Sequence, residues 1–497
     1  RRPATLPRAI MKTSTLATRT RVTATSSRRS LLLAALLGVL APVGRSETAT
    51  IPAAPAAQTE IGVPAFVVLG PEALGLSSMP TDMHLLPDGR LLMTAQREIT
   101  FGDGVRWETY RRIVDDTNFI SAKVAVDSDG RIYTGIGGKF SRIELGAGAR
   151  WHYTPVAGFP SSGSLGGVVP NGVCIFGDTW YLYGGSGSLV VWKPGTAPRL
   201  IPHAGAIERV FALGSTIYVS DAASGQLYRA TDDASGTVNI SPPGANVDDM
   251  VTCSVEYSPG LLLVGTSGAG LQLFDGETMR PFVAQGVLGT RQRVNDLCNL
   301  GGGLIAAAVD SAGIVVFNHD GRIVQELARA LDHRLSRARQ LLYSADGVLW
   351  ALLSEGVARM EFPSRFSNFA PLIPSSLTFA LFVRHQDKLW IASDGRIFRG
   401  VYDADNRLVR FENDAPPGHA VYHLSVMEDR LFATDDTGIY ERTSSGWHVV
   451  ATGIPNARLG ITSRTGEGWF YTARDEIGWI QLTPEGLATR RIPAPGL

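Results

Sequence analysis

Polar side chains return at one offset along this chain, and that recurrence is where chemistry would sit. Seven residues before the turn that opens each apolar strand stand Asp82, Lys123, Asn171, Glu208, Asn295, Gln340 and Tyr422, with Arg209, Asp249, Asp296 and His419 close by. Carboxylates, carboxamides, cations and a phenol gathered at one place would grip a small solute carrying several hydroxyl or charged groups. The same offset is where solvated loop residues would fall, so the set binds something only if the fold makes it converge. Two pairs could move protons instead, His419 with Tyr422 and Asp249 with Asp296, provided each pair stands within hydrogen-bond reach.

Other chemistry finds little support. Asp127-Ser128-Asp129-Gly130 opens like a calcium loop, but Gly138 stands where the closing glutamate belongs, so a hairpin turn is expected. His419 and His423 share one face of a strand without an obvious third ligand. Neither G-x-S-x-G, H-E-x-x-H nor a phosphate loop occurs. Cys174, Cys253 and Cys298 match no disulfide framework or metal spacing, and read as small buried apolar side chains. No metal or other cofactor is expected.

The elements that must position the polar set follow from a weak repeat of about 42 residues, a period typical of propellers, solenoids and arrays. Its core is a turn, an apolar strand and a small-residue step: Asp88-Gly89-Arg90-Leu91-Leu92-Met93, Asp129-Gly130-Arg131-Ile132-Tyr133, Gly260-Leu261-Leu262-Leu263-Val264-Gly265, Asp387-Lys388-Leu389-Trp390-Ile391-Ala392. Around each core lie further short strands rich in β-branched and aromatic residues, split by Gly, Asp and Asn turns. The copy from Val294 shows all four: Val294–Cys298, Leu304–Val309, Ile314–Phe317 and Arg322–Gln325. Small residues such as Gly135, Gly184, Gly265 and Ala306 suit close packing between units. Four antiparallel strands per unit is the grammar of a propeller blade. The expected fold is therefore all-β, a β-propeller of about ten four-stranded blades. The ten form either a single large ring or seven blades plus an incomplete second ring, and the even filling of the chain inclines the reading to one ring. Residues 323–332 are the one stretch with a weak helical pattern.

Leu389-Trp390-Ile391-Ala392-Ser393-Asp394-Gly395-Arg396-Ile397-Phe398-Arg399 resembles the repeat of bacterial two-component-regulator propellers. Leu349–Arg359, Leu431–Tyr440 and Leu263–Leu271 are similar to it less closely. The resemblance implies an extracytoplasmic ligand-sensing β-propeller in signal transduction, working with a membrane signalling protein. The chain departs from that family's pattern in ending directly after the tenth copy, without the expected membrane helix and output domain. A stand-alone sensor or a fragment of a longer protein would both fit.

Composition narrows the partners. The 497 residues are 44% hydrophobic and 19% charged, with 55 Gly and 28 Pro, as expected of a loop-rich globular chain. Residues 1–46 hold nine basic side chains and no acidic one. The remainder carries 37 basic against 46 acidic residues, which disfavours nucleic acid or an anionic membrane as partner. Arg28-Arg29 followed by the apolar run Leu31–Val43 reads as an export signal, of twin-arginine or ordinary type, ending near Ser46. Residues 47–61 read as a flexible lead-in and 62–497 as the propeller, with no membrane-spanning run in the mature chain. A periplasmic or secreted location follows. The leading functional expectation is a non-enzymatic sensor that binds a small polar ligand or an oligosaccharide at its hub. A propeller lyase or hydrolase acting on a polysaccharide or lactone, and a protein-interaction platform, are the alternatives.

Overall fold

The computed structural model describes residues 62–493, apart from 97, 112–123, 137–138, 147–150, 158, 160–171, 185–187, 232–235, 241–248, 330, 365, 374–379, 404–407, 417–419, 463–467, 474–475 and 484–485. The strands assemble into ten four-stranded antiparallel sheets, the blades of a β-propeller. In chain order the first strands of the blades are Asp82–Leu85, Val124–Val126, Gly172–Phe176, Ile207–Leu213, Val251–Ser258, Val294–Gly301, Ala338–Tyr343, Ala380–His385, His423–Met427 and Arg458–Thr462. In blades 1 to 9 a short turn joins the first strand to the second. In blades 1, 2, 5 and 7 the turn holds Gly89, Gly130, Gly260 or Gly347 at φ near +80°. Blades 8 and 9 use Gln386-Asp387 and Glu428-Asp429 with φ between 45° and 58°, the left-handed pair that matches the twist of a two-residue hairpin.

Alternation within the second strands places one apolar row on each side of a blade, and consecutive blades bury these rows against each other. Seven such seams close on themselves. Leu92 and Ile99 of blade 1 meet Ile132 and Ile143 of blade 2. Tyr133 and Phe140 meet Trp180 and Trp192 of blade 3. Leu189 meets Val219 of blade 4, and Tyr218 meets Phe274 of blade 5. Leu263 meets Ile305 of blade 6, and Val316 meets Leu349 of blade 7. The last seam brings Trp350 and Val357 of blade 7 back to Met83 and Met93 of blade 1. The small-residue step is part of this packing. A Cβ on Gly265 would lie 2.5 Å from the Cys253 sulfur and 2.8 Å from Val294.

The expectation of a single ring of ten is thereby corrected: the ring shuts after seven blades. The reason is the outer strand of blade 7. Its other three strands are Ala338–Tyr343, Val348–Leu353 and Gly356–Glu361, and the fourth is Phe66–Leu69 from the opposite end of the chain. Phe66 pairs with Met360 and Leu69 with Val357. A local repeat cannot announce a strand contributed from some 290 residues away. Nearby, Val63–Pro64 pairs with Ser367–Asn368 on the chain leaving blade 7.

Blades 8, 9 and 10 form a separate open array with seams at Trp390 and Leu431, then Phe432 and Tyr471. The leading face of blade 8 (Leu389, Ile391, Phe398) is covered by Phe369, Leu372 and Ile373 of the connecting segment. The weak helical pattern at 323–332 is also corrected. Ile323–Leu327 is the fourth strand of blade 6, where Ile323, Gln325 and Leu327 are buried in alternation.

Candidate functional site

The first strand of each blade is the inner edge of its sheet, and neighbouring blades splay too far apart for those edges to share a ladder. Their backbone groups need other partners. The recurring polar residues supply them. Asp82 accepts the N–H of Val124 across the blade 1–2 seam, at 3.2 Å. Ser220 accepts the N–H of Val251 across the blade 4–5 seam, at 3.0 Å. Thr252 donates to the carbonyl of Val294. Asn295 donates to the carbonyl of Ala338 at 2.9 Å, and Asp296 accepts the N–H of Leu341 at 2.8 Å. Gln340 ties blade 7 to blade 1 from both ends of its amide. Its oxygen accepts the Met83 N–H at 3.2 Å, and its nitrogen donates to the Met83 carbonyl at 2.7 Å.

A cavity of about 600 Å³ opens at the hub, where the seven first strands begin. Asp82, Glu208, Arg209, Asn295, Asp296 and Gln340 all line it. In blades 4 to 7 the first strand carries a bulge at the same place, between Ile207 and Arg209, Val251 and Cys253, Val294 and Asp296, and Ala338 and Gln340. A bulge sets two residues against one and re-aims side chains. The inserted residues Glu208, Thr252, Asn295 and Arg339 all reach the cavity wall. The bulged half of the rim thus contributes two consecutive polar side chains from three of its blades, Glu208-Arg209, Asn295-Asp296 and Arg339-Gln340.

Most of these groups are already engaged. Asp82 is buried and also meets His84 Nε2 at 2.9 Å. Glu208 faces Arg293 of blade 6 at 3.4 Å. Arg339 Nε donates to Ser354 at 3.3 Å. Arg209 differs: among the described residues its guanidinium has no carboxylate within ion-pair distance and no hydrogen-bond acceptor. Burial opposes its charge, but nearby groups, Asp296 among them, favour it more, and the net displacement is upward, so Arg209 stays a cation.

Other residues of the sequence-derived set lie elsewhere. Asp249 does not line the cavity; it holds a turn, accepting from Ser267 Oγ at 2.8 Å and the Gly268 N–H at 2.6 Å. Tyr422 belongs to the open array, half exposed, with its N–H bonded to Thr434. Lys123, Asn171 and His419 fall outside the described residues. Asp127 caps its own hairpin, accepting from Asp129 and Arg131 backbone N–H groups at 3.0 and 2.8 Å. Among the described residues no three His, Cys, Asp or Glu side chains cluster as a metal site. Burial pushes the thiols of Cys253 and Cys298 up to about 12, far from thiolate chemistry at neutral pH.

The offset rule missed Tyr183, His84, Thr252 and Arg339. Tyr183 sits on the second strand of blade 3 and reaches the hub only because Gly172 faces it. A Cβ there would stand 2.3 Å from the ring. A glycine at the head of a first strand, opposite a tyrosine, was the available signal.

No protein-family model and no curated protein sequence matches the chain. Solved structures do. The extracellular domain of a putative hybrid two-component system from B. thetaiotaomicron aligns with a TM-score of 0.59 and 14% identity, over 87% of this chain and 61% of that one. This chain shares the β-propeller fold of that extracellular domain. A second such extracellular domain from B. thetaiotaomicron aligns at TM-score 0.47 and 13% identity, over 88% of this chain and 74% of that chain. Among the described residues no helix is long and apolar enough to cross a membrane.

Proposed function

We propose that the chain is an exported, non-enzymatic sensor propeller that takes a small polar solute or oligosaccharide into the hub of its seven-bladed ring and acts through a membrane signalling partner. The observation that carries the reading is the hub itself. Seven first strands open onto one polar cavity of about 600 Å³, the size of ordinary small-molecule sites. Sensing is favoured over acid–base chemistry because Asp82, Asn295, Asp296 and Gln340 use their polar atoms to clasp neighbouring blades. A residue that moved protons there would have to release a seam. The basic leader of residues 1–46 and the extracellular setting of the fold's relatives support export.

The test is a thermal-shift and calorimetric screen of the purified chain against monosaccharides, sugar acids, sugar phosphates and oligosaccharides. A ligand at 100 times its Kd should add about 2.7 kcal/mol to stability. Arg339→Trp, which places an indole at the exposed rim of the cavity, should abolish that gain while leaving the unliganded unfolding transition within about 1 kcal/mol. Absence of any stabilising solute, or a gain that survives Arg339→Trp, would overturn the reading.

A further inference from the structure

We infer that the hub is selective for an oxyanion, the carboxylate or phosphate group of a small solute, and that Arg209 is the residue that receives it. The inference rests on the hub being a ligand site and goes further by assigning the ligand's chemistry. Each carboxylate on the cavity wall is already met: Asp82 by His84 and the Val124 N–H, Glu208 by Arg293, and Asp296 by the Leu341 and Leu297 N–H groups. Arg209 alone among the charged lining residues has no such partner among the described residues. Its position is built by the bulge between Ile207 and Arg209, which turns two successive side chains of blade 4 to the cavity.

Three features suit an anion. A guanidinium held in a part-buried wall offers a planar fork that matches carboxylate or phosphate oxygens two at a time. The Tyr183 side chain, admitted by the bare Gly172, lines the same cavity, and its hydroxyl is a donor that burial keeps protonated. Arg339 brings a second cation to the rim, with only its Nε committed. The acidic wall residues shape the preference as well. Their oxygens are turned to backbone N–H groups and to cations, so a ligand's neutral hydroxyls find few free acceptors while its anionic group finds a free donor.

The experiment is calorimetric titration with matched pairs: galacturonate against galactose, and glucose 6-phosphate against glucose, with inorganic phosphate alone as a fifth probe. The acid of at least one pair should bind at least tenfold more tightly than its neutral partner, with affinity falling as salt rises. Which pair shows the larger ratio separates carboxylate from phosphate. Arg209→Gln should weaken the acid on the order of 30-fold or more and leave the neutral sugar within about threefold. Arg209→Lys should recover part of the loss. Equal binding of acid and neutral members to the unaltered chain would overturn the anion assignment and leave the hub reading standing. Equal weakening of both by Arg209→Gln would do the same. No binding of any of the five probes to the unaltered chain overturns the anion assignment, and only silence across the wider screen would take the hub reading with it. If Arg209→Gln does not fold, the acid-to-neutral ratio and its salt dependence in the unaltered chain decide the matter.

Discussion

Blades 1–7 and blades 8–10 are made of the same unit, yet one set is closed and the other is not. Three equivalent side chains show the consequence. Trp390 of blade 8 is 4% exposed and Phe432 of blade 9 is 0% exposed, because each is covered by the blade that follows. Phe470 occupies the same place in blade 10 and is 36% exposed, meeting Trp479 of its own sheet edge-to-face at 5.0 Å between ring centroids. In the ring every blade has two neighbours, and polar groups bridge five of the seven seams among the described residues. In the array the leading face is closed by Phe369, Leu372 and Ile373, and the trailing face shows Phe470 and Ile492. A blade is therefore only a half-finished core, and its stability is set by what stands on each side.

Truncation at the two equivalent phenylalanines is the strongest way to break this comparison. Phe432→Ala should cost about 3–5 kcal/mol in denaturant unfolding, the usual range for a fully buried aromatic. Phe470→Ala should cost about 1–2 kcal/mol, since roughly a third of the ring stays in water. Equal losses would mean that the trailing face is covered in solution. The ring's own closure can be probed at Gln340. Gln340→Leu leaves the N–H and carbonyl of Met83 without their partners, at a cost of about 1–3 kcal/mol per group. Gln340→Glu keeps one acceptor and should lose less, and the order of the two variants is the check.

Hydrogen exchange sharpens the contrast without mutation. Amides of Trp469–Thr472 in blade 10 should exchange well before those of Leu304–Val309 in blade 6, which is covered on both faces. Similar protection in the two strands would contradict the open-array description.

The smallest expected effect is a pH dependence confined to the array. Burial pushes the His423 imidazole below its usual 6.5; its bond to the Leu459 carbonyl at 2.8 Å opposes this and Arg458 adds to it. Burial likewise pushes His385 down, against the pull of Asp429. For a base with a depressed folded-state pKa, the unfolded chain takes up protons first as pH falls. The stability carried by the two neutral rings should be complete above about 6.5 and decline as pH drops from there toward the folded-state values. Protection factors in blades 8 and 9 at pH 7.5 and pH 5.5, each taken against the intrinsic exchange rate at that pH, check this. His423→Gln should flatten part of the slope.

Blade identity was legible because it is local. Strand alternation, Gly and Asp turns and the small step at Gly265 all lie within one repeat, and each has a short-range physical cause. The candidate site was legible in part. An offset of seven residues from the turn found Asp82, Glu208, Asn295 and Gln340, because in each of these blades the head of the first strand faces the hub. It also took in Tyr422, whose surroundings differ although its spacing does not, and passed over Tyr183, which reaches the hub across a strand; Asp249, taken as a neighbour of the set, holds a turn instead.

Composition and periodicity alone determined that this chain would build four-stranded antiparallel sheets with apolar rows on both faces, since those rows can be buried only by sheet against sheet. The count at which the ring shuts was decided by tertiary structure, through Phe66–Leu69 bonding to a strand remote in sequence. So was the division of labour among the polar residues. Whether a carboxylate clasps a neighbouring backbone or an arginine is left facing a cavity depends on which atoms the packed blades bring within about 3 Å, and no spacing along the chain encodes that distance.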